Sequence, residues 1–583
     1  MRYVLPAVIV VIGLITGMFG VLQKTVWAPD DTRTASVQLD GPGPVVVVEP
    51  GVLNLYDTPA TLTATATAAD QEITISRTTK ENADFWVGAS DATRIVGLAE
   101  EDSLESRTFT GGEGAPEAGP TDVPADEAAE DEAAEDEAAE PDPEELATVP
   151  APGGADLWEA TESGEGTVSW DFDEDAGRTA FVIGTDGEQP AASDVSITWP
   201  NDTATPWAIP LMIGGGVIVL IGLGVGFMSL RSAKRDKERR TARQERRRKL
   251  AETGSAFAIV PVIALAGCGP AELPQPDPDP APTDAGPAVT DDQIASILDK
   301  ARSTVAGADE ELDEDALAER ASGPFLAQRS AAYDVKDASE DFELPPGVAD
   351  GDVEVNFTAA TDTWPRATSV IVEDTEIEQS RLLVLAQSDA RADYTVWSQT
   401  VLQPGAEIPE ISDPREGSAL LDPEAGGYRL LPNEVPAAYA DVLSEGDESD
   451  SAEAFEEDAF ASQVRSNQAS QSDELEAGGA EVTFSYAGDD SQLTAMEAAD
   501  GSAVVTGVVE AESTISPDST ESTTGTLTIP SPAADVIGET ETSEDLTQTS
   551  TVIATWVVPA GAQEPIRLVG VNETFTGASV GTE

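Results

Sequence analysis

Histidine is absent from all 583 residues, and cysteine occurs once, as Cys268. Those two facts remove most of the chemistry that operates near neutral pH. Ser-His-Asp and Cys-His nucleophilic catalysis, histidine metal sites and the ordinary general base near pH 7 are excluded. A lone cysteine also excludes an intrachain disulfide and any zinc site with two or more thiolates. Carboxylates remain in excess, 110 Asp and Glu against 31 Lys and Arg, for a net charge of -79. With acids this dense, paired-carboxylate spacings arise by chance and point to no site. The most ordered spacing, Asp171, Asp173 and Asp175, begins like a calcium loop, which then needs Gly at its sixth position and Glu at its twelfth. Ala176 and Val182 stand there instead, so DEDAG reads as a hairpin turn and no metal site is expected. Lys80, Lys300 and Lys336 have no serine placed to form a Ser-Lys dyad. The chain is therefore expected not to be an enzyme; a carboxylate-based extracytoplasmic hydrolase is the alternative.

The elements around Cys268 explain why one thiol is present. Residues 3–22 and 207–230 are uncharged and long enough to cross the ~30 Å hydrocarbon core of a bilayer as helices. The first could instead be a cleavable signal, but its nearest candidate site, Val26-Trp27-Ala28, is followed by Pro29, which favours an uncleaved anchor. After the second comes Arg231 to Lys249, with 11 bases and 3 acids. Lys and Arg within ~15–20 residues of a spanning helix mark its cytoplasmic side. This places 231–250 inside, against anionic lipid, and 24–206 outside. Each helix carries a Gly-x-x-x-Gly pair, Gly13 with Gly17 and Gly222 with Gly226, which would let two helix backbones approach closely.

Residues 251–268 hold a third apolar stretch, AFAIVPVIALAG, too short to span comfortably but of signal h-region length. It follows the basic stretch and ends in Leu265-Ala266-Gly267-Cys268. These four residues resemble the lipobox of bacterial lipoproteins. The resemblance implies a diacylglycerol thioether on Cys268 and cleavage of the Gly267–Cys268 bond by the lipoprotein signal peptidase. The family places its box near the N-terminus, whereas this one follows two apolar segments. The chain thus reads as two envelope proteins joined end to end. Without cleavage, the segment would act as a third anchor, kinked at Pro261.

The flanking regions are expected to be a membrane-anchored multidomain assembly. Residues 30–110 and 155–204 alternate with period two in VVVVEP, TLTATATA, EITISR, TVSWDF and SDVSITW, which predicts a small all-β extracytoplasmic domain, antiparallel and sandwich-like. Residues 111–154 interrupt it with three consecutive DEAAE units, a solvated acidic insertion with too little apolar bulk to offset its ordering entropy. Residues 269–289 are a Pro-rich tether, read as a semi-rigid spacer that stands the following domain off its anchor. Thr290 and Gln293 form a capping box ahead of a helix with Ile294, Ile297, Leu298, Ala301 and Val305 on one face. A second helix over 312–333 and strands at 352–359, 367–374, 381–387 and 393–402 complete one α+β domain, 290–412. Helices at 436–443 and 452–471, with strands at 481–487, 502–514, 526–529, 551–559 and 566–575, predict a second over 430–583. These tandem α+β domains with antiparallel sheets look like the cone-shaped domains, similar to cystatin or NTF2-like folds, of envelope lipoproteins from high-GC Gram-positive bacteria.

The functional expectation follows from this layout. The chain reads as a non-catalytic envelope membrane protein and lipoprotein that binds or scaffolds something at the outer face, with 24–206 and 269–583 extracytoplasmic. An acidic surface-layer spacer is a further alternative. Its expected partners are membrane lipid and an envelope protein or small ligand. Nucleic acid is excluded by the charge. No cofactor is expected beyond the lipid on Cys268.

Overall fold

The computed structural model describes residues 4–109, 150–237, 273–409 and 418–581, apart from positions 40, 42, 57, 89, 175–176, 188, 202, 281–284, 376, 518 and 521–522. Leu265, Ala266, Gly267, Cys268, most of the basic stretch and the DEAAE insertion lie outside the described residues. The protein is a mixed α/β chain with two large sheets and two long apolar helices.

Those helices, α1 (Val4–Thr25) and α3 (Ala208–Lys237), pack side by side and antiparallel. Both meet the length and composition needed to cross a bilayer. Outside their shared seam they leave Val8, Ile12, Leu14, Ile15, Leu220 and Leu223 bare. In water an apolar surface of this extent is strongly unfavourable.

The strands between them are β1 (Thr32–Gln38), β2 (Val45–Val48), β3 (Ala60–Thr65), β4 (Glu72–Thr79), β5 (Ala92–Glu100), β6 (Ser103–Phe109), β7 (Ala160–Glu165), β8 (Thr167–Phe172), β9 (Thr179–Gly184) and β10 (Asp194–Pro200). They form one sheet in the order β7-β4-β9-β2-β5-β6-β1-β10-β3-β8. Its two end strands are consecutive in the chain, joined through Gly166, so the sheet rolls around a single core containing Val46, Leu62, Ile75, Ile95, Phe181 and Trp199. Alternating burial along β3 and β10 bears out the period-two reading.

Three expectations need correction. The sheet is mixed, since β2 runs parallel to β5 and β1 to β6. It also carries a helix, α2 (Lys80–Val87), capped by Thr79 at its start and Gly88 at its end, so the region is not purely β. DEDAG does not turn a hairpin: β8 pairs with β3, while β9 pairs with β2 and β4. A local alternation pattern cannot reveal such non-neighbour pairing.

At one end of α2 lies a compact charge network. Glu49 accepts from Lys80 at 2.9 Å and from Arg94 at 2.6 Å, and Asp84 lies 2.6 Å from Arg94 and 3.1 Å from Lys80. Burial alone would raise the Glu49 pKa; hydrogen bonds from Arg94 and Lys80, with their charges, hold it below the ordinary value. A carboxylate whose folded pKa is depressed stabilises the fold above its unfolded pKa and loses that contribution as pH falls through the folded one. Glu49→Gln should therefore cost about 1.5–3 kcal/mol at pH 7. That deficit should fade towards zero in strong acid, followed by urea denaturation at pH 7 and pH 3. An equal deficit at both would contradict it.

The second region begins with α4 (Asp291–Glu311), α5 (Glu314–Ala318) and α6 (Gly323–Ala338). The Thr290–Gln293 capping box forms, and the five apolar residues expected on one face of α4 are buried. Gly323 and Pro324 start a new helix, so the stretch 312–333 is divided between α5 and α6. Then come β11 (Val353–Thr358), β12 (Arg366–Asp374), β13 (Gln379–Gln387) and β14 (Thr395–Leu402).

The order recurs with α7 (Val435–Glu445), α8 (Ala459–Gly478), β15 (Ala480–Glu497) and β16 (Ala503–Pro517). Short pairs follow, β17 (Ser519–Thr520) with β18 (Thr523–Thr524), and β19 (Leu527–Thr528) with β20 (Glu541–Thr542) flanking α9 (Ala533–Ile537). β21 (Leu546–Val558) and β22 (Arg567–Val580) close the chain's fold. The second helix lies later than the expected 452–471, because Asp458 caps it.

Both halves contribute to one antiparallel sheet, β11-β12-β13-β14-β22-β21-β16-β15, rather than to two separate ones. The last strand of each half meets the other: Val401–Val571 and Leu402–Gly570 pair across the joint, and Gln403 N donates to the Val569 carbonyl at 2.8 Å. Each half keeps its own helix-covered core, around Ile297, Leu385 and Tyr394 in the first and around Tyr439, Val509 and Trp556 in the second. A third cluster joins them: Phe357, Ile371 and Val384 pack with Met496 and Val504.

Candidate functional site

That third contact leaves an opening between the halves. The cavity is about 710 Å³ and mostly apolar. One wall is the α5–α6 junction, with Ala321, Ser322 and Gly323. Another is the sheet, with Ala367, Ala386, Thr395 and Trp397. The far wall belongs to the second half: Leu420, Leu421 and Pro423 of the connecting loop, and Leu493, Thr494 and Ala495 of β15. Gly323 has φ +52, and a Cβ there would strike the Trp397 indole, so glycine lets α6 start directly against that ring. Leu420 stands at the lip with 39% of its surface exposed. Cavities of this size and lining are where proteins hold small molecules.

Two charged groups at the cavity's margin, Arg366 and Asp393, are engaged. Arg366 stacks on Trp364, 3.6 Å from the ring centre, and donates to Asn82 Oδ1 at 2.9 Å. Its burial lowers its pKa to about 10, against the pull of Tyr394 and Asp362. Asp393 lies 2.9 Å from Arg320, yet burial, with the nearby Asp156 charge, raises its pKa. Among the described residues, no cluster of acids is arranged to hold a metal ion. A smaller cavity of about 390 Å³, lined by Glu407, Glu456, Glu457, Asp458 and Arg567, is acidic and open.

The glycines singled out in the sequence lie elsewhere, on the α1–α3 seam. A Cβ on Gly13 would sit 2.7 Å from Val219 N, and one on Gly222 would sit 2.7 Å from a Val10 methyl. Gly17 and Gly226 have more room, at 4.0 Å from Gly215 Cα and 3.6 Å from Pro6 Cβ. Gly20 and Gly215, which the four-residue spacing did not select, make contacts as close as any. The run Gly214-Gly215-Gly216 was a usable signal. The cavity had none, because its walls are brought together from six separate segments.

No curated protein and no solved structure matches the chain. A family profile matches residues 285–580, which is 296 of the 583 residues and takes in both halves of the eight-stranded sheet with every wall of the cavity. On that extent the chain belongs to the family described as a domain of unknown function, DUF8094.

Proposed function

We propose that the protein is a non-catalytic binding protein of the cell envelope, held at the outer face of the cytoplasmic membrane, whose ligand is a small, largely apolar molecule seated between the halves of the DUF8094 region. The cavity of about 710 Å³ carries this reading. Its lining offers shape and apolar contact, with Trp397 as the aromatic wall.

The membrane part of the reading rests on α1 and α3, two adjacent helices with apolar outer surfaces, and on the arginines after residue 230. Lipid on that surface would replace water, and the basic stretch would keep its end in the cytoplasm. The lipobox-like Leu265-Ala266-Gly267-Cys268 supplies a second anchor for the ligand-binding half. Contacts between the first region and residues 291–391 support placing both on one side of the membrane.

Thr494→Trp would project an indole from β15 into the cavity. The purified full-length protein in detergent should bind N-phenyl-1-naphthylamine with a saturable fluorescence rise, and Thr494→Trp should weaken that binding at least about tenfold without changing the circular dichroism spectrum. Binding unaffected by the substitution would remove this cavity as the site.

A further inference from the structure

The DUF8094 region rests on the rolled β sheet through an interface at which buried polar groups of each side bond to the other. Asp156, just after the turn at Pro152–Gly154, carries a fully buried side chain. Its carboxylate accepts from Lys300 Nζ at 2.7 Å, from Arg320 and from the Tyr394 backbone N–H at 3.0 Å. Its carbonyl accepts from Gln293 Nε2 at 3.0 Å. A second anchor is Arg391, which donates to the carbonyls of Trp86 and Val87 and to the Ser90 hydroxyl, each at 2.8 Å. Between the anchors, Phe85 packs edge-on against Trp364 across the interface, and Trp86 against Trp158 within the first region, with centroids 5.0 Å apart in both pairs.

The distribution of charge is informative. Residues 285–580 contain 12 Lys and Arg, and four of them, Lys300, Arg320, Arg366 and Arg391, meet the first region here. A chain with net charge -79 has placed a third of this region's scarce bases on one surface. Separation would strip Phe85 of its contact with Trp364 and leave Arg391 without three acceptors. Removing one partner of a buried ion pair costs several kcal/mol, while the intact pair holds orientation. The Pro-rich tether belongs to the same contact. Leu273 packs against the first core, and Asp279 N donates to the Gly177 carbonyl at 3.0 Å. Thus 273–280 is laid along the β sheet instead of standing the next region off it.

From this we infer that the two regions form a docked pair whose association does not depend on the peptide connecting them. The DUF8094 region has a basic and aromatic docking surface, and its partner is the acid-bearing loop and α2 of the membrane-proximal β region. Severing the chain anywhere between 250 and 268, by a processing peptidase or otherwise, would yield a two-chain complex that stays assembled.

The test uses the full-length protein in detergent, with a site-specific protease sequence inserted after Gly254 and an affinity tag at the C-terminus. After cutting, the N-terminal piece should be retained with the C-terminal piece in near-equal amounts at 0.5 M NaCl. Asp156→Arg and, independently, Arg391→Glu should each reduce that retention at least about tenfold. Uncut variants should keep the wild-type circular dichroism spectrum; if Asp156→Arg does not, Arg391→Glu carries the comparison. Loss of the N-terminal piece from the cut wild type would overturn the inference, as would variants that retain it fully. Neither outcome depends on ligand binding, so the cavity reading stands or falls separately.

Discussion

Cells producing the Cys268→Ser protein should incorporate no label from an alkyne-tagged fatty acid, where the parent protein incorporates it strongly. The chemistry allows no partial result. Thioether formation needs a thiolate, the sequence contains one sulfhydryl, and a serine hydroxyl ionises far too weakly to replace it. The small residues Ala266 and Gly267 ahead of it fit the lipobox pattern, and the variant should also persist as one larger product. With tags at both ends, the parent should give two pieces and the variant one. Equal labelling and equal size would refute the lipoprotein reading. The DUF8094 region would then hold to the membrane through α1, α3, its contact with the rolled sheet and the uncleaved apolar segment ahead of Cys268. Buried lipid chains contribute about 0.8 kcal/mol per methylene, so one diacyl group is a substantial anchor.

What the sequence made legible was local. The capping box at Thr290 and Gln293 forms as read, because both partners lie within one turn. Strands expected at 367–374 and 381–387 fall at Arg366–Asp374 and Gln379–Gln387, since their apolar runs are buried on both faces. The recurrence of helices before strands was also visible, even with little residue similarity between the halves. What could not be read was pairing. Nothing in TVSWDF says that it lies against ATLTAT, more than 100 residues earlier, rather than against the next strand. Within the sheet the halves meet in a register of two residue pairs, too few to leave a pattern. The helix α2 was missed because only eight residues long, although Thr79, Glu81 and Gly88 mark its ends and first turn. Asp156 was hidden for another reason. In a chain with 110 acids, one carboxylate that is fully buried looks no different from those on the surface. Scarcity carried more information: the basic residues, being few, mark the contacts that matter.

Arg329 illustrates that rule inside the first core of the DUF8094 region. It is 3% exposed, and its guanidinium grips Asp309 at both ends, Nε to Oδ1 at 2.6 Å and Nη2 to Oδ2 at 2.5 Å. The Tyr333 hydroxyl donates to the same Oδ1 at 2.6 Å. Burial, reinforced by Asp309, pushes the Tyr333 pKa well up, so the phenol remains a donor throughout the physiological range. The pair ties α4 to α6 across a core that is otherwise apolar. Asp309→Ala strands a buried cation and removes the phenol's acceptor, and should cost about 3–5 kcal/mol. Asp309→Leu combined with Arg329→Met replaces both charges by apolar bulk and should recover most of that loss. Urea denaturation of the full-length protein, with hydrogen exchange read on 291–338, distinguishes the two. A single substitution costing under about 1 kcal/mol would mean that water reaches the pair. A double substitution as damaging as the single would mean that the ion pair, and not the volume it fills, determines how α4 and α6 pack.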